Sequence, residues 1–406
     1  MDPRDPVKFN AGNLTKTRIE PNYNGIDDDS MPNGGKLVQV KGKDGKPEII
    51  GPYMADLAKH WDKIAIVRGM SMDTLTHEVG RRRFITAKPP SGLQARGSSG
   101  ATWLASMLGA KETIPNLAVR VESYNKDQPN YATGLKANSV PDIVRALKAD
   151  PSALPPNVQM LVDNLLAQEA KCLHATNSPM WAGAEASRQK AVEMVGSGFD
   201  KSFNFSAKTA AMAKLRAHYG IKQYGSSATT SHEAQAAMAV TAITSGISRV
   251  VSITATSGLD THFDDWATQQ GPRQALGFNN VARMIEDLQS RPHPKGGTWL
   301  DRTTIVGFSE FCRGSLMNSQ GGRDHALTNA CFVAGAGIKG GQVIGKSHDI
   351  GMAPTETNLK SGKQDNTNGH IIKPEHVYRA LLHDIGVTED VADLRVPALT
   401  ALLKKS

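Results

Sequence analysis

Short apolar runs alternate along this chain with longer amphipathic stretches. "DKIAIVRGMS" (62–71), "NLAVRVES" (116–123), "ISRVVSITAT" (247–256), "RTTIVGFS" (302–309) and "NACFVAGAG" (329–337) are rich in Val, Ile and Ala and short enough to predict buried strands. Helical patterns lie between them. "TTSHEAQAAMAVTAITSG" (229–246) sets Thr230 and Glu233 at capping-box spacing and closes at Gly246. "QALGFNNVARMIEDLQS" (274–290) falls between two strands, and "PEHVYRALLHDIG" (374–386) puts Val377, Leu381 and Ile385 on one face before stopping at Gly386. Strand and helix in series predict an α/β fold. The expected form is a doubly wound, mostly parallel sheet with helices on both faces, built from 62–125 and 230–390.

The middle of the chain breaks that rhythm. Residues 138–225 carry helical patterns such as "NVQMLVDNLLAQEAKCL" and no good strand, with Pro-rich "DPSALPPN" (150–157) interrupting them. The expectation is a single domain over 1–406, with 138–225 as a helical insertion or cap. Polar "TETNLKSGKQDNTNGH" (355–370) reads as a surface loop.

Composition narrows the class. Of the 406 residues, 39% are hydrophobic and 21% charged, which fits a globular chain and excludes a disordered one. The net charge of +8 invites an anionic partner, yet the densest basic cluster is only Arg81, Arg82 and Arg83. No nucleic-acid-binding motif accompanies it, so nucleic acid is not expected as a partner. No apolar run reaches the roughly 18 residues that a membrane span needs. Cys172, Cys312 and Cys331 are too few for a disulfide framework, although one bridge is open. The opening "MDPRDPVKFN" does not resemble a signal peptide: either there is none, or the chain starts after it.

Candidate chemistry gathers where open α/β sheets bind their ligands, beyond the carboxyl ends of strands. "LDTHFDD" follows the strand at 247–256 and supplies Asp260 and His262. "SEFCRG" follows the strand at 302–307 and supplies Glu310 and Arg313, and "GGRDHALTN" brings Asp324 and His325 to the next strand. Carboxylates mixed with imidazoles, without cysteine spacing, suit a divalent metal such as zinc, manganese or iron. An all-oxygen calcium site has no need of histidines. Each cluster also has a plain structural reading. Asp260 can cap a turn, His262 can be a satisfied surface histidine, Glu310 can pair with Arg313, and Asp324 can be a turn residue beside Gly322.

"GLDTHFDDW", "DRTTIVGFSEFCRG" and "GGRDHALTNACFVAGAGIKGGQVIG" resemble, in order and spacing, the domain of unknown function 1501 family. That family's pattern is Gly-Trp-Asp-Thr-His, then Ser-Glu-Phe-Gly-Arg, then Asp-His before a "GGxVxG" segment. "VRGMSMDTLTHEVGRRRFITA" (67–87) looks like its upstream "THxxG" region, so the resemblance covers nearly the whole chain. Leu259, Cys312 and Ala326 depart from the family's usual Trp, Gly and Gly. The family is in turn similar to the alkaline phosphatase and sulfatase superfamily, whose members bind metals at strand ends.

The resemblance implies a metal-dependent hydrolase of phosphate or sulfate esters, acting on a small anionic substrate. Its ligands would be Asp260, His262, Glu310, Asp324 and His325, with Asp2 added if the chain starts just after its own first strand. One or two ions of zinc, manganese or calcium are implied. "HEVGRRRFITA" (77–87) fits a sulfatase-like helix start, with Arg81 and Thr86 in frame and His77 in the nucleophile's place. Arg81 and Arg313 would hold the oxyanion. His77 would then bind metal or serve a metal-activated water. The resemblance also implies a periplasmic or extracellular location behind a twin-arginine signal. The alternative is a non-catalytic exported protein that keeps the fold and serves as an oligomer or assembly component.

Overall fold

A computed structural model describes residues 38–148, 154–263, 266–314, 318–320, 322–348 and 352–404. In chain order it begins with a hairpin, β1 (Val38–Lys41) and β2 (Pro47–Ile50), paired antiparallel. A 3₁₀ stretch (Pro52–Lys63) leads into β3 (Ile64–Ser71) and then α1 (His77–Thr86). Next come α2 (Gly100–Leu108), β4 (Asn116–Val119), β5 (Leu135–Ala137) and α3 (Val140–Leu147). They are followed by α4 (Pro156–Glu169), α5 (Leu173–Thr176), α6 (Pro179–Gly196), α7 (Ala210–Tyr219), α8 (Ser226–Thr229), α9 (His232–Thr244) and β6 (Val250–Ile253). The last part holds α10 (Gly271–Ser290), β7 (Thr304–Phe308), β8 (Cys312–Arg313), β9 (His325–Ala326), β10 (Thr328–Gly335), β11 (Gln342–Ile344) and α11 (Pro374–Asp384).

These elements form two compact units. One runs up to Gly100 and resumes at Ala255; the other is Ala101–Thr254. The fold is therefore mixed α/β, but the single mostly parallel sheet expected from the sequence is not what forms. The first unit has a four-stranded sheet in the order β11-β3-β10-β7, in which β10 runs antiparallel to both β3 and β7 and β11 runs parallel to β3. The second unit has its own three-stranded parallel sheet, β5-β4-β6. All eight residues of β10 are buried. A continuous apolar run is the usual mark of a parallel strand, yet a central antiparallel strand covered on both faces carries the same run. Its direction is not written in it.

In the first unit the sheet's geometry places the chemistry. β3, β7 and β11 point one way and β10 returns between them, so the C-terminal ends of β3 and β7 lie at the same edge as the start of β10: Ser71 pairs with Thr328, and Phe308 with Cys331. The excursion from β7 to β10 leaves from that edge and is stiffened by the β8–β9 ribbon, which sets Arg313 directly opposite His325. Beneath it lies a core that includes Val67, Met72, Phe84, Phe311, Val333 and Val377. Phe84 stacks on Phe308 with ring centroids 3.8 Å apart, which seats α1 against β7. Full burial of such a side chain is worth about 2–3 kcal/mol.

In the second unit α9 packs on β6. Its N-cap is Ser231, whose hydroxyl accepts from the Ala234 N–H, and not Thr230. Ser is the better N-cap of the two neighbours, and the helix starts one residue later than the Thr230–Glu233 spacing predicts. Among the described residues, those from α3 to α8 hold helices, and all of them sit in the unit with the parallel sheet.

α11 ends as read, with Gly386 in the left-handed region at φ 89°. The segment 355–370 is less superficial than its polarity suggests: Thr357 is fully buried, and Leu359 joins the core. Cys172, Cys312 and Cys331 are free thiols, and burial pushes the Cys331 thiol up to about 12. Among the described residues no helix is long and apolar enough to cross a membrane.

Candidate metal centre

Three segments meet at the edge where β3 and β7 end. The first follows β3. It turns at Asp73, held at φ 56°, and enters α1 at His77. The second is Asp260–Thr261–His262. Thr261 is fully buried and its hydroxyl donates to Gln270 Oε1 at 3.0 Å, which turns Asp260 and His262, the residues on either side, away from the core. The third is the β7–β10 excursion, with Glu310, Phe311, Arg313, Asp324 and His325.

Two glycines let these segments approach. A Cβ on Gly80, inside α1, would lie 2.8 Å from the Glu310 carbonyl oxygen. One on Gly322 would lie 2.0 Å from the carbonyl carbon of His262.

The side chains converge on one atom, Asp260 Oδ1. His77 Nε2 lies 3.1 Å from it, His262 Nε2 3.0 Å and His325 Nε2 3.3 Å. The Arg313 guanidinium, itself only 9% exposed, binds the same oxygen through Nη2. Its Nη1 lies 3.0 Å from His262 Nε2.

Behind each ring stands an acceptor. Glu310 Oε1 is 2.5 Å from His77 Nδ1, the Leu75 carbonyl oxygen is 2.6 Å from His325 Nδ1, and Asp324 Oδ1 is 2.9 Å from His262 Nδ1. A carboxylate or carbonyl oxygen can only accept, so each Nδ1 carries the proton, and in the neutral ring each Nε2 is left with a lone pair. The outer acceptors thereby fix both tautomer and ring orientation, as the second layer of a metal site does. Phe311 packs on His77 and on His325, at centroid distances of 4.9 and 4.2 Å, and closes the apolar side.

His77 Nε2 is sealed from solvent and has no hydrogen-bond partner among the described residues, because its approach to Asp260 lacks hydrogen-bond geometry. A carboxylate oxygen facing three ring nitrogens requires positive charge among them. A ring proton, the Arg313 guanidinium or a metal ion can supply it. Electrostatics at Asp260 agree. Burial pushes its pKa up, but the hydrogen bonds with Arg313 and His325 and the charges of Arg313 and His77 outweigh burial and hold it well below the usual carboxylate range. The His262 and Asn318 hydrogen bonds lower Asp324 as well. His77, Asp260 and His325 each offer a ligand atom within 4.8 Å of the others, a set that fits a metal ion.

Of the residues expected at the site, the structure brings together Asp260, His262, Glu310, Arg313, Asp324 and His325, with His77. Glu310 and Asp324, expected as ligands, spend an oxygen each on a ring Nδ1, and Glu310 pairs with His77, not with Arg313. Arg81 is one turn along α1 and lies 3.8 Å from Glu78. Asp2 lies outside the described residues.

Sequence reasoning missed the Leu75 carbonyl, Phe311 and Asn318, whose amide donates to Asp324 Oδ1 at 3.1 Å and to the His262 carbonyl at 2.9 Å. A backbone carbonyl leaves no residue signature. Gly80 did leave one, since a glycine inside a helix costs about 1 kcal/mol against alanine and so marks a close approach.

A family model described as "Protein of unknown function (DUF1501)" matches residues 32–367, most of the chain and all three segments of the site. No curated protein matches the chain. No solved structure matches it.

Proposed function

Because the chain belongs to the DUF1501 family of proteins of unknown function, we propose its function from the side chains themselves: a metal-dependent hydrolase of phosphate or sulfate esters. One observation carries the proposal. His77 Nε2, Asp260 Oδ1 and His325 Nε2 converge within 4.8 Å, beside a guanidinium bound to the same carboxylate. These three residues would hold the ion. When bound, it would lower the pKa of a water and polarise an ester oxygen.

The chain's own residues do the rest. Glu310 and Leu75 keep the protons of His77 and His325 on Nδ1, so that Nε2 faces inward. Phe311 excludes water from one side of the rings. Arg313 has five N–H donors in a fixed fork; Nη1 serves His262 and the Arg323 carbonyl and Nη2 serves Asp260, and the N–H groups left over suit an oxygen of a phosphoryl or sulfuryl group.

The proposal extends to kinship with alkaline phosphatases and sulfatases and to work in the periplasm or outside the cell. Motif resemblance supports both, and cell fractionation tests the second. Elemental analysis of the purified chain, then a panel of aryl phosphates and sulfates with zinc, manganese or calcium, tests the reaction. Asp260→Ala should strip metal and hydrolysis together while leaving the far-ultraviolet circular dichroism unchanged. Bound metal without turnover on any ester would sink the hydrolase.

One observation favours a second reading. His77 holds the nucleophile's place in the sulfatase-like frame, and its ring is turned to Glu310 and Asp260. A non-catalytic exported assembly protein would keep the ion for structure alone.

A further inference from the structure

We infer that this chain pairs with a second copy of itself through a helical arm of its second unit, α4 together with α6. The pairing involves the unit that lacks the Asp and His cluster, and it stands apart from the reaction proposed above.

A helix that carries apolar residues at its own period normally buries them against a core. α4 does not. Val158, Leu161, Leu165 and the neutral Gln168 follow one another at intervals of three, four and three, so they share one side of the helix. No side chain of α4 is buried, and Leu161 and Leu165 are 64% and 56% exposed. That side is not turned to α6 either. Asp163 is held by Arg188 of α6 at 2.5 Å. It lies two residues from each leucine, which puts it on the opposite side of the helix.

Apolar exposure is concentrated on this arm. Leu154, Met160, Leu161 and Leu165 lie on α4 or just before it, and Met180, Trp181, Val192 and Val195 lie on α6. They are eight of the nineteen large hydrophobic side chains that are exposed among the described residues. A Val, Leu or Met side chain carries about 60–120 Å² of apolar surface, so eight that are about half exposed offer on the order of 400–500 Å². Homodimer interfaces are about 65% apolar, so that much apolar surface belongs to a contact of about 600–800 Å² on each copy. A specific dimer takes about 800 Å² from each partner. One arm therefore supplies nearly all that one copy has to bring.

Charge selects the partner. The whole chain carries +8, so two copies repel each other at long range. The arm adds nothing to that repulsion. From residue 156 to 196 it sets Lys171, Arg188 and Lys190 against Asp163, Glu169, Glu185 and Glu193, three cations against four anions, a net charge of −1. Arg188 is spent on Asp163 and Glu185, and Lys190 on Glu193, all within the arm. An apolar, nearly neutral face meets no like-charge penalty from its own copy, and a two-fold axis lets one patch serve both partners. The same face lacks the excess of Lys and Arg that draws an amphipathic helix to anionic lipid.

The test is sedimentation equilibrium of the full, tag-free chain over a range of concentrations. It should show monomer and dimer in exchange, with a Kd of about 1–50 µM, the weak end for an interface of this size. Added salt should hold or tighten the dimer, because it screens the repulsion between the copies and breaks no ion pair across the seam. Leu161→Glu combined with Leu165→Glu sets acidic groups against each other in the seam and should weaken the dimer at least tenfold. Both positions are exposed, so the circular dichroism of that chain should not change. Should it fail to fold, Met180→Glu, on the other helix and 84% exposed, should weaken the dimer at least threefold.

A chain that stays monomeric at about 200 µM, well above that Kd, a dimer that folded variants leave intact, or a dimer that salt dissociates would each overturn the inference. So would a monomer that binds phospholipid vesicles through Leu161 and Leu165, since the face would then belong to lipid.

Discussion

His77 and Glu310 face each other at 2.5 Å, Nδ1 to Oε1, across 233 positions of sequence. That contact fixes which nitrogen of His77 carries the proton and therefore which one is offered to the cluster. It also ties the first turn of α1 to the end of β7.

Removing the Glu310 carboxylate should therefore act through the ring. Glu310→Ala should lower metal affinity by about 10- to 100-fold with little change in fold, the usual cost of losing an outer acceptor. Glu310→Gln keeps an oxygen that can accept from Nδ1 and should lose less. Titration with zinc measures both. Equal losses would mean that the charge of Glu310 matters more than its hydrogen bond.

Gly322 is a steric prediction. Its missing side chain is what lets Gly322 lie against His262, where a Cβ would come within 2.0 Å of backbone. Gly322→Ala should cost about 1–3 kcal/mol in urea unfolding, the range for overpacking. It should also displace His262, so that metal affinity falls in step with stability. A loss of stability with affinity unchanged would separate the loop from the site.

Arg83 is buried to 1% and binds Glu375 at 2.9 Å and Asp73 at 3.1 Å, joining α1, α11 and the turn before His77. Asp73 also takes Ser71 Oγ at 2.6 Å and Lys373 Nζ at 3.2 Å. Arg83→Met would leave a buried carboxylate without its partner. The expected cost is about 3–5 kcal/mol, read from the denaturation midpoint. A cost under 1 kcal/mol would mean that the buried Glu375 carboxylate does not depend on Arg83.

Acid should weaken the first unit through His376. Its ring is 4% exposed and accepts a hydrogen bond from the Lys373 N–H at 3.1 Å at the start of α11. Burial, then the charge of His370, lowers its pKa to about 4. An unfolded histidine titrates near 6.5, so between those values the unfolded chain binds the extra proton and stability falls as pH falls. It should be full above about pH 6.5 and diminished by about 3 kcal/mol near pH 4, each pH unit being worth about 1.4 kcal/mol. His376→Gln should flatten the dependence of Tm on pH across that window. A profile with the same slope would place the titrating group elsewhere.

The strands were legible because their apolar runs are short and bounded by polar turns. β3, β4, β6 and β7 fall within the runs that predict them, and β10 begins one residue before its run. Their division between two sheets was not legible, since burial on both faces gives β10 the same appearance whichever way it runs. The site shows a similar limit. Asp260, His262, Glu310, Asp324 and His325 announce themselves as polar residues at strand ends, and they do meet. A carboxylate that touches an ion and one that touches the imidazole holding that ion have the same sequence, so Asp260 could not be told from Glu310 or Asp324. His77 was visible only through the frame around it, because nothing in "THEVG" tells which ring nitrogen faces inward.

The separation of the clustered residues along the chain has a consequence for synthesis. Leu75 and His325 touch, yet 250 positions lie between them. At about 5–20 residues per second, a ribosome delivers His325 roughly 10 to 50 s after Leu75. Throughout that interval the nascent chain already exposes His77 and, later, Asp260, but not the ribbon that brings His325 and Arg313 over them. The cluster is therefore assembled late, completed after translation has passed β9, and any cation it takes would come from the compartment the finished chain then occupies.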